Sequence, residues 1–184
     1  TKPFDIQELH LRVRNVLRRS SVDRMTHTIT GLPGLAMSDE HLRDLLTSSD
    51  WVALSVGLHG LDEFGDVYGF VARDDVVRAV ALMLNHVVSE SHDPNAFVGH
   101  LDDTNFFVVV APDEVEQVNR ALAARLKEAM AFFYPRVDWM TGKERPDAES
   151  PHLDATMGVF RSSAGSFSNL EDLKRTIIGV QQAD

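Results

Sequence analysis

The sequence predicts an α/β (α+β) fold in which one central, mainly antiparallel sheet is flanked by helices. Segments with helical apolar spacing alternate with strand-like apolar runs, and residues 96–111 have the pattern of a hairpin with a tight polar turn. The order is helix-strand-helix-strand-strand-helix-strand-helix, which is most simply satisfied when the helices pack on one sheet. At 184 residues and 43% hydrophobic content, the chain is long enough to bury such a core.

An amphipathic helix is predicted over residues 5–19, ahead of this body. Asp5 and Glu8 have the spacing of a capping box. An apolar stripe at helical spacing is formed by Ile6, Leu9, Val13, Val16 and Leu17. Four arginines fall late in the segment, where the helix dipole favours cations: Arg12, Arg14, Arg18 and Arg19. Residues 20–23 then have the composition of a hinge.

The body begins with a turn-rich loop at 26–37 and a short helix through Leu42, Leu45 and Leu46, which Ser38 is predicted to cap. The predicted strands are 51–58, 96–101, 106–111 and 152–160. The glycines at 60, 65 and 69 indicate a loop after the first strand. A long helix is predicted at about 72–90, another starts at Pro112, and Ser168 with Glu171 is predicted to cap the last. Residues 135–152 are polar, contain three prolines and predict a long loop or small flap.

Composition and charge restrict the function. The net charge of −10 disfavours nucleic acid and anionic membrane surfaces as partners. The sequence has no cysteine, no apolar run long enough to span a bilayer and no signal-peptide pattern at its start, so we expect a cytoplasmic protein. Because it opens on Thr1 without a methionine, we also expect it to be a piece of a longer protein.

Four stretches together resemble GGDEF domains, the diguanylate cyclase family. They are "ITGLPG" at 29–34, "DVYGFVARDDVV" at 66–77, the hairpin at 98–110 and "TMGV" at 156–159, in the family's order and spacing across about 23–184. "KPF" at 2–4 and the arginine-ended helix after it resemble the end of a response-regulator receiver domain. The predicted organisation is therefore a receiver helix and linker at 1–22 and a GGDEF-like domain, with its nucleotidyl-cyclase-like fold, at 23–184. Phe133-Tyr134-Pro135, Asp138 and Gly142 also fit an insertion seen in a subset of such domains.

The resemblance implies a reaction in which two GTP molecules, one on each of two domains, join into cyclic di-GMP with Mg²⁺ bound by carboxylates. The family's metal-binding aspartate at the end of the first strand falls on Gly57, and its Phe-Lys pair falls on Leu61 and Asp62. The asparagine that reads guanine falls on Gly65. The second guanine contact falls on an aspartate, Asp74, and the glycine before it is Arg73.

The Gly-Gly-Asp-Glu-Phe signature maps onto residues 102–106. The two glycines become Asp102 and Asp103, whose charge and bulk oppose the approach of a phosphate. The metal-binding acid becomes Thr104 and the next acid becomes Asn105, while Phe106 is kept. A feedback site of Arg-x-x-Asp type, expected at 93–96, is absent from the sequence. We therefore expect a degenerate domain without cyclase activity and without a bound cofactor, since Mg²⁺ is needed only where nucleotide binding is retained.

Two alternatives at the residue level stay open. Asp102 and Asp103 form a cation site with His100 and His59, or they are turn residues favoured for backbone reasons, which we prefer. Asp74 retains a guanine contact, or it is a solvated residue near a helix start favoured by the dipole.

The predicted function is a non-catalytic output module of a two-component response regulator. In this interpretation the receiver lies upstream, and the domain signals by contact with a protein partner or by forming a homodimer. One alternative is a sensor that binds GTP or cyclic di-GMP without turnover, with GTP affinity expected to be weak. A further alternative is a diguanylate cyclase that uses substituted ligands.

Overall fold

The computed structural model describes residues 26–134, 152–165 and 167–182. Its sheet has four strands: β1 (Val52–His59), β2 (Phe97–His100), β3 (Asn105–Val110) and β4 (Asp154–Arg161). The strand order is β2-β3-β1-β4, and every pairing is antiparallel. β1 is paired on both sides, so its near-continuous apolar sequence suits its central place. The predicted fold class is confirmed.

Five α-helices accompany the sheet in the described ranges: α1 (Leu35–Thr47), α2 (Leu61–Tyr68), α3 (Phe70–Glu90), α4 (Val115–Met130) and α5 (Leu170–Gly179). Short 3₁₀ turns follow β4 at Ser162–Ala164 and α5 at Val180–Gln182. The second of these turns carries Gln181 back to the sheet, where it contacts Ser55 of β1.

The helices bury opposite faces of the sheet, because side chains alternate along a strand. In β1, Val52, Leu54 and Val56 lie in a core with α2, α3 and α4. Ala53 lies on the other face, in a second core formed with α1 and α5. Ser55 and Gly57 follow on that same face, so the side of β1 that carries Gly57 faces the C-terminal elements.

The glycine-rich stretch after β1 is helical, and the loop predicted there was wrong. α2 forms because Leu61 and Phe64 are buried against the core and Tyr68 packs beside Phe64, with 4.7 Å between the ring centroids. A glycine inside a helix costs about 1 kcal/mol, which is less than the burial of one large apolar side chain, about 1.5–3 kcal/mol. Gly69 has φ +89 and separates α2 from α3.

Two predicted helix caps also differ. The cap of α1 is Gly34, four residues before the predicted cap, so Ser38 is a buried residue within the helix. The cap of α5 is Asn169 rather than Ser168, because the Asn169 side chain accepts a hydrogen bond from the Asp172 N–H at 2.9 Å.

The predicted helix at 5–19 and residues 135–151 of the predicted loop lie outside the described residues. Within the described ranges, no helix combines the length and apolar character that a bilayer crossing requires.

Candidate functional site

The polar turn between β2 and β3 is organised by the carboxylate of Asp102. Its Oδ1 accepts hydrogen bonds from the Thr104 N–H (2.9 Å) and the Asn105 N–H (2.8 Å), and from the Asn105 side-chain amide (2.9 Å). The same amide donates to Oδ2 at 2.8 Å. Asp103 is exposed. The carboxylate of Asp102 is therefore used to close the turn, which matches the turn interpretation of the sequence.

The turn is also attached to the end of β1. The Leu58 N–H donates to the Thr104 carbonyl at 3.0 Å, and Gly57 is in register with Asn105. The sheet thus brings together Gly57, Thr104 and Asn105, which the sequence predicted to share one site.

The space beside Gly57 is occupied by Gln181 from the C-terminal 3₁₀ turn. A Cβ atom built on Gly57 would overlap Gln181 Oε1, and it would lie 2.8 Å from Gln181 Cδ and 2.9 Å from Asn105 Oδ1. Gln181 is 6% exposed, and its amide donates to the hydroxyl of the fully buried Ser55 at 2.5 Å. The sequence predictions missed this residue. The lack of a side chain at Gly57 indicates that another group could lie there, but no sequence pattern near Gly57 identifies that group as Gln181.

The donor set at this place does not fit a magnesium site. Mg²⁺ prefers hard carboxylate oxygens in octahedral geometry, whereas Gly57 has no side chain and the Thr104 hydroxyl faces Asp102 Oδ1 at 3.3 Å. His59 bonds Thr156 Oγ1 at 2.8 Å. Among the described residues, no group of three or more histidine, cysteine or acidic side chains is placed to hold a metal ion.

His100 points inward and joins the hairpin to the loop before α1. It is fully buried, and its ring stacks on His27 with 4.0 Å between the centroids. Its Nδ1 lies 3.1 Å from the Asp102 carbonyl, so Nδ1 carries the proton and Nε2 accepts from the Thr30 hydroxyl at 2.8 Å. Burial, followed by the neighbouring His27, lowers the pKa of His100 to about 4. This ring is therefore neutral at pH 7 and has a packing role.

The predicted guanine-contact positions lie on two successive helices, Gly65 on α2 and Asp74 on α3. Arg73 lies over Gly65, where an added Cβ would be 3.2 Å from Arg73 Cδ. The Arg73 guanidinium lies 3.6 Å from Asp74 and 3.4 Å from Asp62. The Arg73 side chain thus lies beside both Gly65 and Asp74, which the sequence did not reveal.

A groove of about 870 Å³ lies elsewhere, between α4 and β4. Leu126, Met130, Met157 and Val180 contribute to its apolar wall. None of the predicted site residues lines it, so the groove does not add to the site described above.

Comparisons with solved structures show which known fold this architecture resembles. The coiled coil and GGDEF domain of DgcB from Caulobacter crescentus, solved with c-di-GMP, is 16% identical with a TM-score of 0.62, over 97% of this chain and 92% of that one. The chain has the GGDEF-domain fold. Diguanylate cyclase SiaD from Pseudomonas aeruginosa, solved with its activator SiaC, is 14% identical with a TM-score of 0.56, over 97% of this chain and 66% of that one.

The Vibrio cholerae LapD S helix-GGDEF-EAL structure, bound to c-di-GMP, matches at 11% identity with a TM-score of 0.59. The match covers 93% of this chain, which spans about a third (36%) of that structure's length. No protein-family model and no curated protein matches the sequence. At these identities the likeness concerns the fold, and the chemistry depends on the residues of this chain.

Proposed function

We propose that this GGDEF-fold domain is a signalling module that does not synthesise cyclic di-GMP and that acts through protein contact. The observation that carries the proposal is Gln181, whose side chain occupies the place beside Gly57 where the resemblance puts a metal-binding carboxylate. Phosphoryl transfer from GTP depends on cations that neutralise the phosphate charge. A site in which the buried Gln181 amide takes the place of that carboxylate does not support this step.

The signature turn supports the same proposal. Asp102 stands where the family has a glycine, and its carboxylate is already bonded to two backbone N–H groups of the turn. A nucleotide phosphate approaching this turn would meet Asp102 and the exposed Asp103, and both carboxylates repel it.

A role in a two-component response regulator is the finer part of the proposal. It rests on the Lys2-Pro3 step and the arginine-ended segment after it, which resemble the end of a receiver domain. That SiaD was solved with an activator protein gives a precedent, on this fold, for contact with a protein partner.

A direct assay tests the absence of turnover. The purified chain is incubated with GTP and either Mg²⁺ or Mn²⁺, and products are separated by chromatography beside an active diguanylate cyclase. We expect no cyclic di-GMP above the no-protein blank. Product that disappears in the Asp102→Ala or Asp103→Ala variant would overturn the proposal in favour of a cyclase with substituted ligands.

Asp74 favours a second candidate, a nucleotide-binding sensor without turnover, because an acid is retained at one guanine-contact position. Thermal unfolding with GTP or cyclic di-GMP separates the two, since a ligand that binds only the native state must raise the midpoint. The proposal predicts no shift with either ligand. A saturable shift that is lost in Asp74→Ala, without product in the assay above, would select the sensor.

A further inference from the structure

The corner between α2 and α3 exposes an apolar surface, which we call the apolar corner and which consists of Val67, Phe70 and Val71. Their exposed fractions are 61%, 76% and 60%. They lie within five residues of chain, around the break at Gly69. Half of the large apolar side chains that are exposed in the described ranges are therefore concentrated at one place, which is typical of an interaction surface.

The apolar corner has an acidic surrounding. Residues 61–78 contain five acids and two arginines. Both arginines already contact acids in this stretch: Arg73 lies beside Asp62 and Asp74, and Arg78 forms an ion pair with Asp75. A surface of this kind suits a partner that presents apolar side chains together with positive charge.

One stretch of this same chain has that composition. Residues 5–19 carry five apolar residues at helical spacing and four arginines, on a chain with a net charge of −10. In the sequence no other stretch of this length holds four arginines with such an apolar stripe. Apolar pattern and charge therefore both match the apolar corner.

The described chain begins close enough for these residues to reach the apolar corner. The Arg78 Nε donates to the Ile29 carbonyl at 3.3 Å, so the loop that follows residue 25 lies against α3. Val71 precedes Arg78 by seven residues, which puts both on one face of α3 about 10 Å apart along its axis. Residues 20–25, which connect residues 5–19 to the described chain, span up to about 20 Å when extended, about twice the separation of Val71 and Arg78 along α3.

From these observations we infer that the apolar corner is the docking surface for residues 5–19 of the same chain. The contact would join the segment at the start of the chain directly to the α2–α3 junction. A change in the conformation of this segment would then alter the surroundings of Arg73 and Asp74.

The absence of cysteine makes disulfide trapping a direct test. The full chain with Val13→Cys and Phe70→Cys is oxidised at low concentration, and the products are separated on a non-reducing gel and located by peptide mass mapping. The matched control pairs Val13→Cys with Phe132→Cys. Phe132 is 72% exposed, and it lies beside Met83, which is about 20 Å along α3 from Phe70.

We expect the Phe70 pair to form an intrachain disulfide at least about tenfold faster than the Phe132 pair, because docking raises the effective concentration of the thiols. The advantage should fall at 1 M salt, where charges are screened within about 3 Å. A variant with Val67→Cys in place of Phe70→Cys repeats the test at a second exposed position. Equal rates in the Phe70 and Phe132 pairs, or crosslinks only between chains, would overturn the inference.

Discussion

Gly57→Ala tests whether Gln181 occupies the place beside β1. The new methyl group would overlap Gln181 Oε1 and press on Asn105 Oδ1, so the Gln181 side chain has to move. Its hydrogen bond to Ser55 is lost, and the Ser55 hydroxyl is left buried. The substitution thus converts a contact between two distant parts of the chain into a measurable loss of stability.

The expected loss follows from two opposing effects. Leaving a buried hydroxyl and amide without partners costs about 1–3 kcal/mol. Replacing glycine by alanine in a regular strand returns about 0.5–1 kcal/mol. We therefore expect the free energy of unfolding to fall by about 1.5 kcal/mol, which for a chain of this size lowers the midpoint by about 3–6 °C.

Urea and thermal unfolding of the full chain measure this effect. Gly179→Ala is the matched control, because an added Cβ there meets no atom within 4 Å, and it should leave stability unchanged or slightly higher. The double variant Gly57→Ala/Gln181→Ala completes a double-mutant cycle. We expect it to be no less stable than Gln181→Ala alone, which corresponds to a coupling of about 1–2 kcal/mol.

Two results would refute the reasoning. Gly57→Ala could prove as stable as the parent protein, in which case no buried contact lies beside β1 at this position. Alternatively the losses of the two single variants could add in the double variant, in which case Gly57 and Gln181 do not share the space.

Three further predictions concern the hairpin and the last helix. The His100 ring stays neutral in the native state, whereas in the unfolded state it takes up a proton below its ordinary pKa of 6.5. The free energy of unfolding should therefore fall by about 2 kcal/mol as the pH drops from 6.5 towards 4. Unfolding measured over a series of pH values should show a smaller fall in the His100→Gln variant. Asp102→Ala should lower the free energy of unfolding by about 1–3 kcal/mol, since the turn N–H groups lose their acceptor, whereas Asp103→Ala should stay within about 0.5 kcal/mol in the same urea titrations. Asn169→Ala should cost about 1 kcal/mol and Ser168→Ala almost nothing, and equal losses would contradict the cap seen here.

The sheet was predictable because its signals are local. The run at 106–111 is apolar throughout and the run at 51–58 is interrupted only by Ser55 and Gly57, which suits the two inner strands, and the polar turn at 102–105 separates the hairpin strands. The three helices with a long apolar stripe were found for the same reason, with boundaries shifted by a few residues.

α2 was not predicted, because the tertiary packing of its apolar side chains outweighs the low helix propensity of the glycines in and beside it. Three glycines in ten residues indicate a loop, yet Leu61 and Phe64 are buried on one side of the helix. Gly65 faces Arg73, so the missing side chain makes room for a neighbour that follows eight residues later. The sequence shows that residue 65 is a glycine, but it does not show that the Arg73 side chain occupies the space that a larger side chain would need.

Only some of the residues of the candidate site could be predicted from the sequence. Gly57, Thr104 and Asn105 could be grouped because the resemblance aligns them with one site, and the antiparallel register does bring them together. Gln181 lies more than 120 residues from Gly57 along the chain, in a short 3₁₀ turn without a strong local signal. Contacts of this kind are set by how α5 packs on the sheet, which no local pattern encodes.

The backbone of the signature turn explains how two aspartates can replace two glycines there. In the described ranges, a positive φ occurs at Asp50 and at three glycines, and none of these lies in 102–105. The turn therefore needs no glycine, and a side chain at 102 is accommodated without strain. That side chain then supplies the acceptor for the N–H groups of Thr104 and Asn105. Asp102 therefore stabilises the turn itself by accepting hydrogen bonds from its backbone. Gln181 likewise stabilises the neighbouring end of β1, where it fills the space beside Gly57 and bonds Ser55.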